Sequence, residues 1–189
     1  MTTKQLFLLY GLLAVFGFGA FFFAASWQEP VSAPDTAQYL HRAREFYDLA
    51  PLKEKNDLSR GLLFSRRLPP LLPLLLSPFA SNQIKLERTA VLLMVTLSTF
   101  ALIFLTAILH RYHSMKTALV AYFLLTFHGF NLTIGSTILT EPLFAALLLP
   151  FLATLAYALN GQDNGPFILV GVLAALVFLT RDIGLTNIG

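Results

Sequence analysis

Long uncharged stretches alternate with short charged ones along this chain. A helix needs about 20 apolar residues to cross the hydrocarbon core of a bilayer. Four stretches of that length contain no Lys, Arg, Asp or Glu, namely Leu6 to Ser26, Thr89 to Leu109, Thr117 to Thr140 and Pro142 to Gln162. A fifth, Asn164 to Thr180, is close to the lower length limit. The stretches are solidly apolar rather than alternating, which predicts helices and not barrel strands.

We therefore predict an all-α, polytopic transmembrane helical bundle with about five spans. The expected spans are residues 6–26, 89–109, 117–138, 142–160 and 166–181, and they make residues 1–189 a single membrane domain. Residues 27–88 form a long first loop outside the membrane. The first stretch is longer than the about 7–15 apolar residues of a signal peptide, so we expect an uncleaved span.

The composition is that of a protein embedded in a lipid bilayer. Hydrophobic residues make up 56% and charged residues only 12%, whereas a soluble domain is about 45–50% apolar. The chain has no cysteine, which excludes disulfides, thiolate nucleophiles and Cys-ligated metals. The net charge of +3 is spread along the chain without a basic block, so no nucleic-acid partner is expected.

The charges of the loops predict which end of the bundle faces the cytoplasm. Residues 110–116 carry Arg111 and Lys116 without an acid, and Lys4 lies on the same side. Residues 27–88 contain nine Lys/Arg against seven Asp/Glu, but long loops translocate largely regardless of charge. We therefore expect a multi-pass protein of the inner (plasma) membrane, in contact with membrane lipid, with the long loop on the external face.

The long loop is predicted to hold two interfacial elements. Asp35 is expected to cap a helix over Thr36 to Leu49, with Gln38 completing a capping box. The apolar residues of that helix fall on one side, which is typical of a helix lying along a membrane surface: Tyr39, Leu40, Ala43, Phe46, Tyr47 and Ala50. The segment from Leu68 to Phe79 is apolar but contains four prolines, which favours an interfacial or re-entrant element.

Two carboxylates are candidates for acid–base chemistry. Asp35 stands just after the first span, where a carboxylate within reach of an acceptor hydroxyl can act as a general base. The alternative is that Asp35 only caps the helix. Glu141 starts the fourth span, where a carboxylate near membrane depth is costly unless it has a partner or a polar cavity. The helix dipole offers an equally good structural explanation for Glu141.

Three arginines are candidates for binding an anionic headgroup. Arg181 ends the fifth stretch, and Arg66 and Arg67 precede the proline-rich segment. A guanidinium group binds phosphate with two parallel hydrogen bonds, which suits such a role. The alternative for all three is a solvated or lipid-facing anchor.

The remaining polar residues within the apolar stretches favour structural roles. His128 and Asn131 have i, i+3 spacing in the third stretch and are expected to share a helix face as interhelical hydrogen-bond partners. His110 and His113 have the same spacing but no third ligand nearby, so no metal site is expected there.

Four sequence blocks, taken in order, resemble the N-terminal half of membrane glycosyltransferases of the GT-C superfamily. The likeness is to bacterial lipid-linked-sugar transferases related to protein O-mannosyltransferases and aminoarabinose transferases, and it covers nearly the whole chain. The blocks are PDTAQYL at 34–40 with Ala43 and Arg44, LPPLLPL at 68–74, LTEPLF at 139–144, and GVLAAL at 171–176 leading into Leu179-Thr180-Arg181.

The resemblance implies a polyprenyl-phosphate sugar donor and transfer of the sugar at the external face. Asp35 matches the loop carboxylate that activates the acceptor, and Glu141 matches a second acidic position in a later external loop. Both are then expected to point into one external cavity beneath the loop helix. Arg181, with Arg66 and Arg67, could meet the donor phosphate. The resemblance makes no cofactor certain and leaves a divalent metal open.

The sequence departs from the family pattern in three respects. Thr36 stands where mannosyltransferase-like members often have a second acid, and Arg67 and Leu68 stand where aminoarabinose-type members carry an acidic residue and Lys. Neither metal use nor the sugar therefore follows from the resemblance. Family members also have many more spans, so we expect this chain to be the N-terminal portion of a longer enzyme.

Two other functions stay open. The chain could be a non-catalytic membrane subunit or a truncated inactive remnant whose charged loop contacts lipid or a partner. It could also be a transporter with His128, Asn131 and Glu141 along its pathway, although the sequence shows neither paired broken helices nor repeat symmetry.

Overall fold

The structure is a computed structural model that describes residues 2–27, 34–49, 69–160 and 165–180. Of these residues, 92% are helical and none lies in a strand, which confirms the all-α prediction for this part of the chain. The described α-helices are α1 (Thr3–Trp27), α2 (Pro34–Leu49), α3 (Leu71–Leu76), α4 (Gln83–Tyr112), α5 (Met115–Phe127), α6 (Gly129–Ser136), α7 (Thr140–Asn160) and α8 (Gly165–Thr180), with a 3₁₀ turn at Ser77–Phe79.

Three of these helices, α1, α4 and α7, are long and apolar enough to cross a membrane. Helices α5 and α6 reach that length only together, and their axes differ by 67°. Helix α8 has 16 residues, which gives about 24 Å at about 1.5 Å per residue, less than the about 30 Å of the hydrocarbon core. The described residues therefore form a membrane-type bundle with three or four candidate spans, and the expected five stay a prediction.

The long helices extend beyond the uncharged stretches that predicted them. Helix α4 begins at Gln83, after Asn82 accepts a hydrogen bond from the backbone N–H of Lys85 at 3.2 Å. Its first turns contain Lys85, Glu87 and Arg88, which precede the predicted span. A charged residue marks the end of the apolar span but does not end the helix, because these residue types are good helix formers.

The predicted third span is not one straight helix. His128 has an extended backbone (φ −69°, ψ 118°) between α5 and α6 and an exposed side chain. Asn131 donates a side-chain hydrogen bond to the backbone oxygen of Leu125 at 3.1 Å. This bond satisfies a carbonyl at the end of α5 that the break would leave without a partner in lipid. The expected continuous helix is wrong, because His128 itself forms the break and only Asn131 lies within α6.

Contacts between helix ends fix the directions of the helices. The Tyr10 hydroxyl near the start of α1 lies 3.1 Å from His110 Nδ1 near the end of α4, so these helices are antiparallel. The Tyr122 hydroxyl in α5 donates to the Leu13 carbonyl of α1 at 2.5 Å. We call the end of the bundle that holds Trp27, Gln83 and Thr140 the loop face. The opposite end, which holds the turn between α4 and α5, is the turn face.

Helices α2 and α3 form a layer on the loop face. The predicted apolar residues Tyr39, Leu40 and Ala43 are buried, whereas Tyr47 is exposed. One core cluster joins α2 and α3 to the starts of α4 and α7: Tyr39, Leu40, Ala43, Leu72, Leu76, Ala80, Leu86, Ala90, Met94, Ile138 and Leu143. The two elements predicted as interfacial are therefore packed on the helices of the bundle, and the start of α7 lies directly against α2.

Candidate functional site

Helix α2 is anchored to the turn between α6 and α7. The Thr36 side chain donates a hydrogen bond to the backbone oxygen of Ile138 at 3.0 Å, and both residues are fully buried. A buried carbonyl without a partner is costly, so this bond fixes the first turn of α2 on the α6–α7 turn. Thr36 thereby acts as a structural residue at the position where the resembling family often has an acid.

A second anchor lies one helical turn further along α2. Tyr39 is only 5% exposed, and the side chain of Thr140 at the start of α7 lies close enough to its hydroxyl to lower its pKa. Thr140 is itself buried. Buried tyrosines usually keep a partner for the hydroxyl, which fixes the direction of the ring. Thr36 and Tyr39 are three residues apart and hold the same face of α2 against the bundle.

The two anchors place the two predicted carboxylates at the same end of the bundle. Asp35 precedes Thr36, and Glu141 follows Thr140, so each acid is adjacent to an anchoring residue. Burial is the main reason that the pKa of Tyr39 is raised; the Thr140 side chain lowers it, and the negative charges of Asp35 and Glu141 raise it further. Both acids are exposed. Two carboxylates from distant parts of the sequence therefore lie within electrostatic reach of one buried hydroxyl.

Asp35 lies inside the first turn of α2 and is not its N-cap, because the helix already begins at Pro34. Proline is favoured at the first helical position, since it has no backbone N–H to leave unsatisfied. The expected capping box between Asp35 and Gln38 is therefore wrong. Glu141 likewise lies in the first turn of α7. A negative charge in a first helical turn is favoured by the helix dipole.

Glu141 lines a cavity within the bundle. This cavity has a volume of about 440 Å³, lies between α1, α4, α6 and α7, and has a mostly apolar wall. Its polar lining includes Glu141, Asn131 and Ser98. Asp35 is not among its lining residues. The expected external cavity shared by both carboxylates stays a prediction, and what the structure shows is that the charges of both acids act on the hydroxyl of Tyr39.

The three arginines predicted to bind the donor phosphate lie outside the described residues. This holds for Arg66, Arg67 and Arg181. Thr180, the last described residue of α8, is buried, and α8 contacts α3 in the layer on the loop face. Their role in phosphate binding stays a prediction.

The described residues do not complete a metal site by themselves. Among them, no three His, Asp or Glu side chains come together in a way that could hold a metal ion. Asp35 and Glu141 could offer two carboxylates, and Mg²⁺ is often held by one or two carboxylates with water and substrate phosphates. A divalent metal here would have to take its remaining ligands from the substrate or from water, and it stays a prediction.

Three residues of this site were not singled out as functional from the sequence. In the sequence, Tyr39 belongs to the predicted apolar face of α2, Thr36 stands out only as a departure from the family pattern, and Thr140 only as a neighbour of Glu141. One feature of the sequence could have indicated the anchor: the polar Thr36 is three residues from Tyr39 and lies on the same helix face. A polar residue on a buried face usually has a hydrogen-bond partner, which predicts an anchor.

The Thr36 anchor can be tested with Thr36→Val, which keeps the shape but removes the donor. Loss of the bond to Ile138 is expected to cost about 1–3 kcal/mol, so amide hydrogen exchange in α2 should become roughly five- to hundredfold faster. Thr96→Val is the matched control, because Thr96 is exposed and its hydroxyl bonds within its own helix. Equal exchange rates in α2 for both variants would contradict the anchor.

The environment of Tyr39 predicts a loss of stability at alkaline pH. The pKa of Tyr39 is raised above its ordinary value of 10.0, so the folded state retains a proton that the unfolded state releases. Stability from this group is therefore complete below about pH 10 and is lost as the pH rises toward the folded pKa. Between about pH 9 and 11, the melting temperature should fall more steeply in the unaltered protein than in Tyr39→Phe. Parallel curves would contradict this assignment.

The comparisons with known proteins leave the family open. No protein-family model, curated protein or solved structure matches the chain. What can be said of this site therefore comes from its own geometry: a pair of exposed carboxylates, held beside a buried tyrosine on the loop face of a membrane-type helical bundle.

Proposed function

We propose that this chain is a GT-C-type membrane glycosyltransferase, or the N-terminal portion of one, in the plasma membrane. It transfers a sugar from a polyprenyl-phosphate donor to a hydroxyl of a lipid, glycan or protein at the external face. The observation that supports the proposal is the hydrogen bond from Thr36 to Ile138, together with the position of Tyr39 beside Thr140. These contacts bring Asp35 and Glu141, the two acids of the family resemblance, to one end of the bundle.

In the proposed reaction, Asp35 is the general base. Its carboxylate is exposed, so an acceptor hydroxyl can approach it from the aqueous side. The carboxylate takes the hydroxyl proton while the oxygen attacks the anomeric carbon of the sugar. The bond from that carbon to the phosphate oxygen breaks, and the lipid phosphate leaves with the electron pair. General bases of this kind typically contribute about 10²–10⁴-fold to the rate.

Glu141 is proposed to position the sugar or the acceptor. It is the acidic residue at the cavity of about 440 Å³, whose wall is mostly apolar. Within the described residues, neither Asp35 nor Glu141 takes part in an ion pair. Two carboxylates repel a leaving phosphate, so the reaction needs positive charge close to that phosphate. Arg66, Arg67 and Arg181 are the proposed source, with a divalent metal as the alternative.

The test is transfer of radiolabel from a panel of polyprenyl-phosphate sugars in membranes of the cells that make this chain. We expect incorporation from at least one sugar donor, and we expect that incorporation to be lost when the chain is deleted and restored when it is returned. Incorporation that is unaffected by the deletion for every sugar in the panel would contradict the proposal.

A non-catalytic membrane subunit is the second candidate, and one observation favours it. Both acids lie in first helical turns, where the helix dipole stabilises their charge without any catalytic role. In that case, the anchors through Thr36 and Tyr39 only hold α2 in place to contact lipid or a partner. Neutralising Asp35 distinguishes the two functions. For a non-catalytic subunit, it would alter stability and binding without abolishing any transfer of sugar.

A further inference from the structure

A second large cavity lies at the turn face, between α4 and α7. It has a volume of about 680 Å³, within the range of about 300–1,000 Å³ that is typical of small-ligand sites. It adjoins the Glu141 cavity, since Leu105 and Leu149 line both. Its mouth, however, lies at the opposite end of the bundle from Asp35 and Glu141, so the proposed sugar transfer gives it no role.

The wall and the mouth of this groove differ in chemistry. The wall is apolar and includes Phe104, Ile108 and Leu152. The mouth carries Arg111 with Tyr112 and Tyr157, whose side chains are 69% and 66% exposed. Within the described residues, Arg111 makes no ion pair with an acid. The groove therefore matches a lipid molecule in chemistry. Its apolar wall suits acyl chains, and the cation and two phenol groups at its mouth suit a polar headgroup.

Among the described residues, the charges at the mouth are all positive. Neither the lining of the groove nor the turn from 110 to 116 contains an acidic residue, and the turn adds Lys116 to Arg111. We propose that the groove binds one anionic phospholipid. Its headgroup phosphate lies at Arg111, and an acyl chain follows the apolar wall between α4 and α7.

The physical chemistry of these groups supports this occupant. A guanidinium group binds phosphate oxygens with two parallel hydrogen bonds. Tyrosines concentrate at the level of lipid headgroups, where the ring is apolar and the hydroxyl can donate to phosphate. Basic pockets between transmembrane helices on the cytoplasmic side are known to bind anionic headgroups. The charge of the 110–116 turn predicts the cytoplasmic side for this end of the bundle.

The experiment is native mass spectrometry of the detergent-purified chain titrated with phosphatidylglycerol or phosphatidylcholine of the same acyl composition. The unaltered protein should retain phosphatidylglycerol in preference. Arg111→Gln should lower the affinity for phosphatidylglycerol by about fivefold, as expected for one cation near an anionic lipid, and leave phosphatidylcholine unchanged. Lys85→Gln is the matched control, because it removes one exposed charge from the other end of α4. Equal losses in both variants, or equal binding of both lipids, would overturn the proposal.

A second variant tests the apolar wall without touching any charge. Ala107 lines this groove, and Ala107→Leu should fill part of it and reduce the number of retained phosphatidylglycerol molecules. Inorganic phosphate at millimolar concentration should not displace the lipid, because it cannot use the wall. Displacement by inorganic phosphate would overturn the lipid as occupant. So would unaltered lipid retention in Ala107→Leu, or a dimer that excludes lipid from the groove.

Discussion

Asp35→Asn is expected to lower sugar transfer by about 10²–10⁴-fold in membranes of the cells that make this chain. The amide keeps the size of the side chain but cannot take the proton of the acceptor hydroxyl. Asp35 is exposed and none of the described anchors uses its side chain, so α2 should remain packed on the loop face. The rate of label transfer from the active donor, normalised to the amount of protein in the membrane, is the measurement.

Two further variants separate catalysis from helix electrostatics. Asp48→Asn is the matched control, because Asp48 is an exposed aspartate on the same helix, and it should leave transfer unchanged. Asp35→Glu keeps a negative charge in the first turn of α2 but displaces the carboxylate, which should still cost about 10²-fold. The proposal would be contradicted if Asp35→Glu kept full activity and Asp35→Asn lost stability and activity in parallel. Asp35 would then only stabilise α2 through the helix dipole.

The sequence predicted the long membrane-spanning helices well, because the lipid environment itself favours helix formation in them. For α1, α4 and α7, an uncharged stretch of sufficient length was enough, because an apolar segment in lipid must satisfy its backbone groups within itself. The same criterion failed at His128. The stretch around it is uncharged. Hydropathy therefore does not reveal a break in the helix when one side chain replaces the lost backbone hydrogen bond. The signal was Asn131, whose amide can reach back to the carbonyl of Leu125.

The candidate site was predictable only in part, for a similar reason. Asp35 and Glu141 could be selected because carboxylates beside apolar stretches are costly and therefore conspicuous. Their convergence depends on a hydrogen bond between Thr36 and the backbone of Ile138, and no residue pattern specifies which carbonyl a threonine will find. Thr36 could be identified from the sequence as a departure from the family, but its structural role became clear only from the packing of α2 on the α6–α7 turn.

The packing of α6 against α1 depends on the absence of a side chain at one position. A Cβ atom at Gly135 would lie 2.5 Å from Cε1 and 2.7 Å from Cδ1 of Phe21, and 2.9 Å from the Ser98 hydroxyl oxygen. Phe21 is buried, and Ser98 donates a hydrogen bond to the Gly135 carbonyl at 3.2 Å. Small residues at such positions let membrane helices approach closely, and here the glycine lets α6 pack against Phe21 of α1 and Ser98 of α4.

Gly135→Ala is therefore expected to destabilise the bundle by about 1–3 kcal/mol, the usual cost of overpacking. Gly129→Ala is the matched control, because it lies in the same helix and a Cβ atom there would meet nothing within 4 Å. Its effect should be near zero or slightly stabilising. The measurement is the melting temperature in detergent for both variants, for Phe21→Leu, and for the double variant with Gly135→Ala. If the ring causes the clash, Phe21→Leu should recover part of the loss, so the two effects will not add. Additive losses would show that the cost of Gly135→Ala does not come from contact with Phe21.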